Sequence, residues 1–475
     1  MSRIREIATK AQNKISESRL DVSTNGSIRK KTEDQTTTSK DEKRQINELL
    51  HKLPKLDKIF EVHRKIGEGT FSSVYLGSLR QHADLPATQK RWFAIKHLVP
   101  TAHPARVEHE LRCLQDMGGK DHVIGVELCL RHLDTIVFVM PYIPHRKFSE
   151  YVGDMDAAEL RRYMRALMIA LKRVHSFGVI HRDVKPSNFL YDRENQRYLL
   201  VDFGLAQRLC PPPDEPQREP ASPLGPPPAH SNNTRKRVRC EDESPPGAKR
   251  VALDLRVGAR AGAGPGAVGA ACACAGAGAV CGACGARPAA RAARAGTQGF
   301  RPPEVLLKYP HQTTAVDMWA GGVVLASALT ARYPFFRAAD DVSALAELAD
   351  LLGTHALQRT AAALGRRLVT STWRRGLCLR KLCARLRGGA PPPAAGPHTP
   401  GPGGPAGPPC ERCRLPPHHC LCLDDGFKAE EVVRSRVVAG FPDAAFALVA
   451  RLLEPDPRRR ISASDALLHP FLREP

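Results

Sequence analysis

The hydrophobic and polar positions predict structured segments that alternate with unstructured ones. Apolar residues recur at helical spacing over residues 103–117, where Val107, Leu111 and Leu114 share one face, and again over residues 156–174. Residues 136–140 form a continuous apolar run rich in β-branched and aromatic side chains, which is typical of a strand. These segments therefore predict a folded unit that contains both helices and strands.

Other segments have no sustained periodicity. Residues 1–54 are polar and charged, with a Ser/Thr-rich middle, and predict a disordered N-terminal arm. Residues 46–56 are amphipathic, and they either pack on the folded unit or form an extended linker. Residues 211–295 are Pro-rich, then basic, then Ala/Gly-rich, and residues 388–425 are again rich in Pro and Gly. Both segments are predicted to be insertions outside the core.

Composition narrows the class of protein. A chain of 475 residues exceeds one small core, and its net charge of +22 favours acidic partners, unless much of the excess arginine lies in disordered segments. No secretory signal opens the sequence and no apolar run reaches about 18 residues, so we expect an intracellular protein with no membrane partner. In a reducing compartment, the 14 cysteines indicate free thiols or metal ligands rather than disulfides.

Two motifs contain the candidate catalytic residues. One stretch has the form H-R-D-x-x-x-x-N, and a D-F-G follows it. The form of this stretch resembles the catalytic loop of protein kinases, and the resemblance implies that Asp183 orients a substrate hydroxyl and accepts its proton, while Lys185 neutralises charge on the transferred phosphoryl group. Asn188 and Asp202 offer the oxygen ligands that Mg²⁺ prefers. Each motif alone is weak, but their order and spacing resemble the catalytic centre of a eukaryotic serine/threonine protein kinase.

A glycine-rich stretch upstream resembles the phosphate-binding loop of these kinases. Gly67 and Gly69 let the backbone approach phosphate oxygens, whereas Ser72 replaces the third glycine of the family pattern. The later run F-A-I-K resembles V-A-I-K, in which Lys96 would hold the α- and β-phosphates of ATP. The residues that the resemblance assigns to ATP binding are Ile66, Gly67, Glu68, Gly69, Thr70, Phe71, Ser72, Ser73, Val74, Ala94, Lys96, Met140 and Leu190.

The helix predicted over residues 103–117 should contain the glutamate that pairs with Lys96. Glu108 and Glu110 both lie on it. Glu110 is favoured because it directly precedes Leu111 in E-L-x-x-L, as it does in this helix across the family. Glu108 would then be a solvated surface charge.

The kinase pattern resumes after the first insertion, where residues 296–304 resemble G-T-x-G-F-R-A-P-E. Thr297 would contact the catalytic loop, Glu304 would pair with Arg460, and Asp317 would hold the catalytic-loop backbone. The resemblance implies an α+β fold with a small β-rich lobe, a large helical lobe and two long, largely disordered insertions. The predicted small lobe and hinge span residues 55–143, and the large lobe spans residues 144–210, 296–387 and 426–475.

The same motifs and both insertion sites resemble the cell-division-cycle-seven kinases, over roughly residues 55–210 and 295–473. This family implies a nuclear kinase that phosphorylates the minichromosome maintenance helicase near acidic or phosphorylated residues and promotes origin firing. It also implies inactivity until a Dbf-four-type subunit binds. The short activation segment offers no Ser or Thr for an activating phosphate once Thr297 is engaged, so the subunit is predicted to order the Glu110 helix.

Eight cysteines occur in two groups with spacings that suit tetrahedral zinc. Around the first group the flanks are almost all Ala and Gly, so codon bias is the alternative explanation. Each zinc would hold an insertion that has no core of its own and so build a docking surface for the partner. The two groups are Cys272, Cys274, Cys281 and Cys284, and Cys410, Cys413, Cys420 and Cys422.

A split basic run, residues 235–239 and 249–250, suits a bipartite nuclear import signal. Contact with DNA or with an acidic partner and a merely solvated linker are the alternatives, so direct nucleic-acid binding stays open. Two rival functions remain beside the kinase: a pseudokinase scaffold, and a metal-dependent nucleic-acid binder. The scaffold is disfavoured because Lys96, Asp183, Asn188 and Asp202 are all present.

Overall fold

The computed structural model describes residues 30–69, 71–86, 88–99, 103–209, 295–388, 410–416, 419–423 and 437–473. A β-rich lobe precedes a helical lobe, and the predicted bilobal α+β fold is confirmed. The first insertion, apart from its last residue, lies outside these residues, and so does the basic run within it. Within the described ranges, no helix combines the length and the hydropathy needed to cross a membrane.

A five-stranded antiparallel sheet forms the centre of the small lobe. Its strands lie in the spatial order β1–β2–β3–β5–β4, with β3 in the middle. Strands β3 and β5 are rich in β-branched and aromatic residues, which favour a pleated, buried surface. The elements are α1 (Lys30–Lys52), α2 (Pro54–Ile59), β1 (Phe60–Gly69), β2 (Ser72–Leu79), β3 (Trp92–Leu98), α3 (Pro104–Asp116), β4 (Leu128–His132) and β5 (Thr135–Pro141).

The two faces of β3 serve different purposes, because successive side chains of a strand point to opposite sides. Phe93 and Ile95 are buried in a cluster with apolar residues of α1. Ala94 and Lys96 consequently lie on the opposite face of the sheet. Phe138, the partner of Lys96 on β5, belongs to the main core. This alternation directs Lys96 toward the large lobe.

The prediction of a disordered arm over residues 1–54 is wrong for residues 30–54. Helix α1 covers most of this segment. Ile46 and Leu49 lie on one face of it, and Leu53 follows directly after its last residue. These side chains are at most 6% exposed and pack on the outer face of the sheet. Of the two alternatives for residues 46–56, packing on the lobe is the one observed. Helices in proteins are stabilised mainly by packing of an apolar face rather than by intrinsic helix propensity. We therefore attribute the stability of α1 to its contact with the sheet.

The large lobe consists of helices around one buried central helix, with short β-hairpins beside the catalytic loop. Its elements in chain order are α4 (Phe148–Tyr151), α5 (Ala157–Ser176), β6 (Val179–Ile180), β7 (Phe189–Asp192), β8 (Arg197–Leu200), β9 (Gln207–Arg208), α6 (Pro303–Leu306), α7 (Ala315–Thr330), α8 (Asp341–Leu352), α9 (Thr354–Ala363), α10 (Leu379–Leu386), β10 (Val437–Val438), β11 (Phe441–Pro442), α11 (Asp443–Leu452), α12 (Ala463–Leu467) and α13 (Pro470–Arg473).

Helix α7 is the centre of this lobe, and every one of its residues is buried. A Cβ on Gly322 would lie 2.8 Å from Leu453 Cδ2 and 2.9 Å from Leu452 Cβ, so glycine allows the end of α11 to pack directly on α7. Asp317, which is 0% exposed, is the charged residue of this helix. A buried carboxylate requires hydrogen-bond partners, and the catalytic loop supplies them.

The stability of the fold should depend on pH through His469, which precedes α13 and is 5% exposed. Burial lowers the pKa of His469 to about 4, and its Nδ1 accepts a hydrogen bond from the N–H of Phe471 at 3.2 Å. The unfolded chain binds this proton near the usual pKa of about 6.5. As the pH falls, the unfolded state is therefore protonated first, and the free energy of unfolding should fall between about pH 6.5 and 4, by up to about 3 kcal/mol.

Urea unfolding measured across this pH range checks the expectation. His469→Gln should flatten the pH dependence, whereas replacement of the exposed His132 by Gln should leave it unchanged. An equal slope in the wild type and in His469→Gln would contradict it.

Candidate active site

The carboxylate of Asp183 lies at the centre of a hydrogen-bond network in the loop between β6 and β7. Its Oδ1 accepts hydrogen bonds from the backbone N–H of Thr297 at 3.0 Å and from Thr297 Oγ1 at 2.6 Å. Its Oδ2 accepts from Asn188 Nδ2 at 2.9 Å and contacts Lys185 Nζ at 2.8 Å. Lys185 Nζ also donates to Thr297 Oγ1 at 2.7 Å. Four donors thus hold a buried carboxylate in one orientation.

The backbone of this loop is strained, and hydrogen bonds to the carboxylate of Asp317 stabilise it. Arg182 has φ = 68°, a left-handed conformation that is costly for a residue with a Cβ. The carboxylate of Asp317 accepts hydrogen bonds from the N–H groups of His181 and Arg182, both at 2.8 Å. The predicted link between Asp317 and the loop backbone is confirmed, and these charge-assisted bonds offset the strain.

Gly296 brings Thr297 to Asp183. Its φ is 97°, and a Cβ at this position would lie 2.7 Å from the carbonyl oxygen of Arg182. Only glycine accommodates both the conformation and the close approach. The predicted contact of Thr297 with the catalytic loop is therefore present, although the first insertion separates the two in the sequence.

Lys96 connects the two lobes through an ion-paired cluster. Its Nζ lies 2.6 Å from Glu110 Oε1 on α3 and 2.8 Å from Asp202 Oδ1. Burial lowers the pKa of Lys96, but the two carboxylates raise it further, so the net pKa lies above its usual value. Of the two candidate glutamates, the structure places Glu110 beside Lys96. Glu108 instead pairs with Arg112 on the helix surface.

Asn188 and Asp202 present oxygens that fit a magnesium ion. The amide nitrogen of Asn188 donates to Asp183 O and to Asp183 Oδ2, both at 2.9 Å, so its amide oxygen is the atom that remains for a metal. Burial raises the pKa of Asp202, but Lys96 lowers it further, and the net pKa lies below its usual value. One neutral and one ionised oxygen donor suit Mg²⁺, which prefers hard oxygen ligands and leaves several positions for water and phosphate.

The residues assigned to ATP lie mainly on the sheet above this cluster. The glycine-rich stretch forms the β1–β2 hairpin, in which Gly67 lies opposite Val74 and Gly69 opposite Ser72. Phe71, at the tip, is 50% exposed. The remaining positions follow the strands: Ile66, Gly67, Glu68 and Gly69 on β1, Ser72, Ser73 and Val74 on β2, Ala94 and Lys96 on β3, Met140 on β5 and Leu190 on β7, whereas Thr70 lies outside the described residues.

Met140 and Ala94 are paired across the sheet. They are Cα partners in adjacent strands, and Val74 is likewise the partner of Lys96. Met140 is 7% exposed. The three apolar side chains therefore lie beside the lysine that would hold the phosphates.

Sequence reasoning missed two glutamines at this site. The guanidinium of Arg182 donates to Gln207 Oε1 at 2.9 Å and to Gln312 Oε1 at 3.0 Å. No motif marks either glutamine, and Gln312 lies 130 residues from Arg182 in the chain. Their role in binding Arg182 appears only when the activation segment and the α6–α7 connection are brought together.

The two cysteine groups differ in what the structure describes. Cys272, Cys274, Cys281 and Cys284 lie outside the described residues. Cys410, Cys413, Cys420 and Cys422 are brought together, and their Sγ atoms all lie within 4.8 Å of one another. In a fully extended chain, Cys410 and Cys422 would be more than about 30 Å apart. Folding therefore brings the four cysteines of this second group together.

Comparison with known proteins identifies the arrangement. The sequence matches the family profile of the protein kinase domain over residues 60–221 and 282–472. It is 35% identical to the non-specific serine/threonine protein kinase Cdc7 of Drosophila melanogaster, covering 90% of this chain and 76% of that protein. It is 33% identical to the Cell division cycle 7-related protein kinase of Homo sapiens, covering 91% of this chain and 92% of that protein.

A fission-yeast relative extends the likeness. The Cell cycle serine/threonine-protein kinase hsk1 of Schizosaccharomyces pombe is 30% identical, covering 68% of this chain and 61% of that protein. The relatives named here are kinases of the cell division cycle, and the resemblance read from the motifs is confirmed. The chain is therefore an ATP-dependent serine/threonine protein kinase that belongs to the Cdc7-type cell division cycle kinases.

Proposed function

We propose that this kinase phosphorylates serine and threonine hydroxyls in acidic context on the minichromosome maintenance helicase and so triggers the firing of replication origins. The observation that supports catalysis most directly is the orientation of Asp183, which four donor groups hold beside Asn188 and Lys185. The net charge of +22 over the whole sequence is compatible with acidic substrates, because an excess of positive charge attracts acidic partners.

In the proposed reaction, Asp183 orients the substrate hydroxyl and accepts its proton as the oxygen attacks the γ-phosphorus. A new O–P bond forms, the bond to the β-phosphate oxygen breaks, and ADP leaves. Lys185 lies 2.8 Å from Asp183 Oδ2, where its ammonium group can neutralise charge that develops on the transferred phosphoryl group.

The groups proposed to bind the nucleotide are Lys96 of the small lobe and the two oxygen ligands, Asn188 and Asp202. Lys96, oriented by Glu110, is proposed to bind the α- and β-phosphates under the glycine-rich hairpin. Asn188 and Asp202 are proposed to hold Mg²⁺, which would supply positive charge to neutralise the phosphates. The ion pairs of Lys96 with Glu110 and Asp202 hold the three side chains in place for the nucleotide.

Activation by a Dbf-four-type subunit is the second part of the proposal. In the described activation segment, residues 203–209 and 295–301, Thr297 is the one residue with an aliphatic hydroxyl, and it already donates to Asp183. Arg182, the residue that binds an activating phosphate in many kinases, is instead bonded to Gln207 and Gln312. A bound subunit is therefore a better source of activation than phosphorylation of this segment.

Location and metal content complete the proposal. We propose a nuclear protein, since the basic residues 235–239 and 249–250 suit an import signal. We also propose that the chain binds zinc, because eight of its cysteines form two groups with the spacing of tetrahedral sites.

Phosphate transfer from ATP to an acidic helicase-tail peptide tests the partner and the substrate together. The chain alone is compared with the chain plus a Dbf-four-type subunit, and the acidic peptide with one whose Asp and Glu are replaced by Asn and Gln. We expect the subunit to raise the rate by about 10- to 100-fold and the neutral peptide to react more slowly. Equal activity without the subunit would overturn partner activation, and equal rates on both peptides would overturn the acidic preference.

A further inference from the structure

Within the described residues 410–416 and 419–423, the end of the second insertion has no apolar core of its own, and Leu421 is the leucine that it contributes to the core of the large lobe. Residues 410–416 and 419–423 contain two exposed leucines, Leu415 at 44% and Leu423 at 45% exposure. The segment nevertheless buries Cys420 and Cys422, each 7% exposed. Small segments without a core usually need a disulfide or a metal ion to hold their shape.

The four cysteine sulfurs have the arrangement of a single metal site. None of the four forms a disulfide, and all four Sγ atoms lie within 4.8 Å of one another. In a tetrahedral zinc site with Zn–S bonds of about 2.3 Å, adjacent sulfurs are about 3.8 Å apart. Small movements of the side chains would therefore bring the thiolates to zinc distance without rearrangement of the backbone.

The backbone around the cysteines forms two tight turns that present the thiols to one point. The N–H of Arg414 donates to the carbonyl of Cys410 at 2.7 Å, which closes the turn that contains Cys410 and Cys413. The N–H of Cys420 donates to the carbonyl of Pro416 at 3.1 Å, which closes the second turn. A C-x-x-C turn paired with a second pair of cysteines is the usual construction of a structural zinc site.

Basic side chains around the segment would balance the charge of such a site. A zinc ion with four thiolates has a formal charge of −2. Cationic side chains donate to backbone carbonyls of the segment at 3.0–3.4 Å; these are Arg375, Lys381, Arg385 and Arg412. They place positive charge around the segment, which would offset part of the negative charge of the four thiolates once a metal ion is bound.

The same segment is attached to the large lobe immediately before α10. The N–H of Cys378 donates to the carbonyl of Leu421 at 2.8 Å, and Leu377 forms a β-bridge with Cys422. Leu421 belongs to the main core of the lobe. In turn, Cys383 of α10 donates through its Sγ to the carbonyl of Leu329 on α7 at 2.7 Å. A continuous set of contacts thus joins the cysteine cluster to the central helix.

We infer that Cys410, Cys413, Cys420 and Cys422 bind one zinc ion that fastens the end of the second insertion to the start of α10. Four soft thiolates in tetrahedral arrangement select zinc over the hard cations Mg²⁺ and Ca²⁺. This inference rests on the zinc binding proposed above and is independent of the kinase reaction, because zinc is measured on the purified chain without substrate.

Elemental analysis of the full-length chain, purified with a reductant, tests the site by difference. Cys413→Ser should lose one equivalent of zinc relative to the wild type, whereas Cys129→Ser, which changes an exposed cysteine on β4, should lose none. Equal zinc content in Cys413→Ser and the wild type would overturn the site. Iron in place of zinc, or thiols that appear only after reduction of a disulfide, would overturn it as well.

Hydrogen exchange of the wild type keeps the inference testable if Cys413→Ser does not fold. Removal of zinc with a chelator should increase exchange in residues 375–388 and 419–423, and leave α5 unchanged. Complete loss of zinc with unchanged exchange in both segments would show that the ion does not fasten the insertion to α10. Absence of zinc in an active kinase would leave the proposed phosphate transfer standing.

Discussion

Asp183→Asn is expected to lower the rate of phosphate transfer by about 10²- to 10⁴-fold. The substitution removes the proposed proton acceptor. It also disturbs orientation, because every contact made by the two carboxylate oxygens is with a donor: Thr297 N, Thr297 Oγ1, Asn188 Nδ2 and Lys185 Nζ. The amide NH₂ of an asparagine would therefore face two donors in either orientation.

Initial rates with a saturating Dbf-four-type subunit and an acidic peptide measure this effect. Asp134→Asn is a matched control, since Asp134 lies exposed in the β4–β5 turn and should keep wild-type activity. Nucleotide affinity should stay within a few-fold of the wild type, because Lys96 and Asp202 are untouched. A variant that retains at least half of the wild-type rate would remove Asp183 from the proposed mechanism.

Arg460→Met should be the most destabilising of the substitutions considered, at about 3–5 kcal/mol. The guanidinium of Arg460 is 0% exposed and binds both carboxylate oxygens of Glu304, at 2.7 and 3.0 Å. Its other hydrogen bonds go to the carbonyls of Ala315, Pro455 and Glu454 at 2.7–3.1 Å. Methionine would leave the Glu304 carboxylate buried without a partner, along with three unpaired carbonyls.

The midpoint of urea unfolding for single and double variants measures this cost. Arg458→Met is the matched control: Arg458 is 57% exposed, pairs with Asp456 at 2.7 Å, and should cost less than about 1 kcal/mol. The double variant with Glu304→Gln should recover part of the loss, because it removes the uncompensated charge. A double variant that is less stable than Arg460→Met would show that the cost arises from packing around Trp319, whose ring lies 5.2 Å from the guanidinium, rather than from the charge.

The predicted pairing of Glu304 with Arg460 shows how far motif reasoning reaches. The two residues are 156 positions apart, yet each lies in a short pattern typical of protein kinases, and the ion pair is present. The same holds for Asp317 and the catalytic loop. Local spacing was sufficient in these cases because each motif determines a local backbone conformation, and the kinase fold places those conformations at known relative positions.

The N-terminal helix shows where pattern reasoning failed. The charged and Ser/Thr-rich residues of α1 predict disorder, and only a few apolar positions near its end oppose that prediction. Those positions are buried against Tyr75, Ile95 and Val137, which come from three different strands. A surface made by three strands does not exist until the sheet has formed, so no window of the sequence contained the partner that stabilises the helix.

The sequence by itself determined the chemistry of this protein: the fold class, the kinase family and the residue types available to bind ATP, magnesium and a hydroxyl. These follow from motifs in which neighbouring residues act together. Only the tertiary structure decided that Gln207 and Gln312 hold Arg182, and that the four cysteines of the second insertion meet beside α10. Such contacts join segments with no shared local pattern, and their geometry is set by the packing of the lobe rather than by the spacing of residues along the chain.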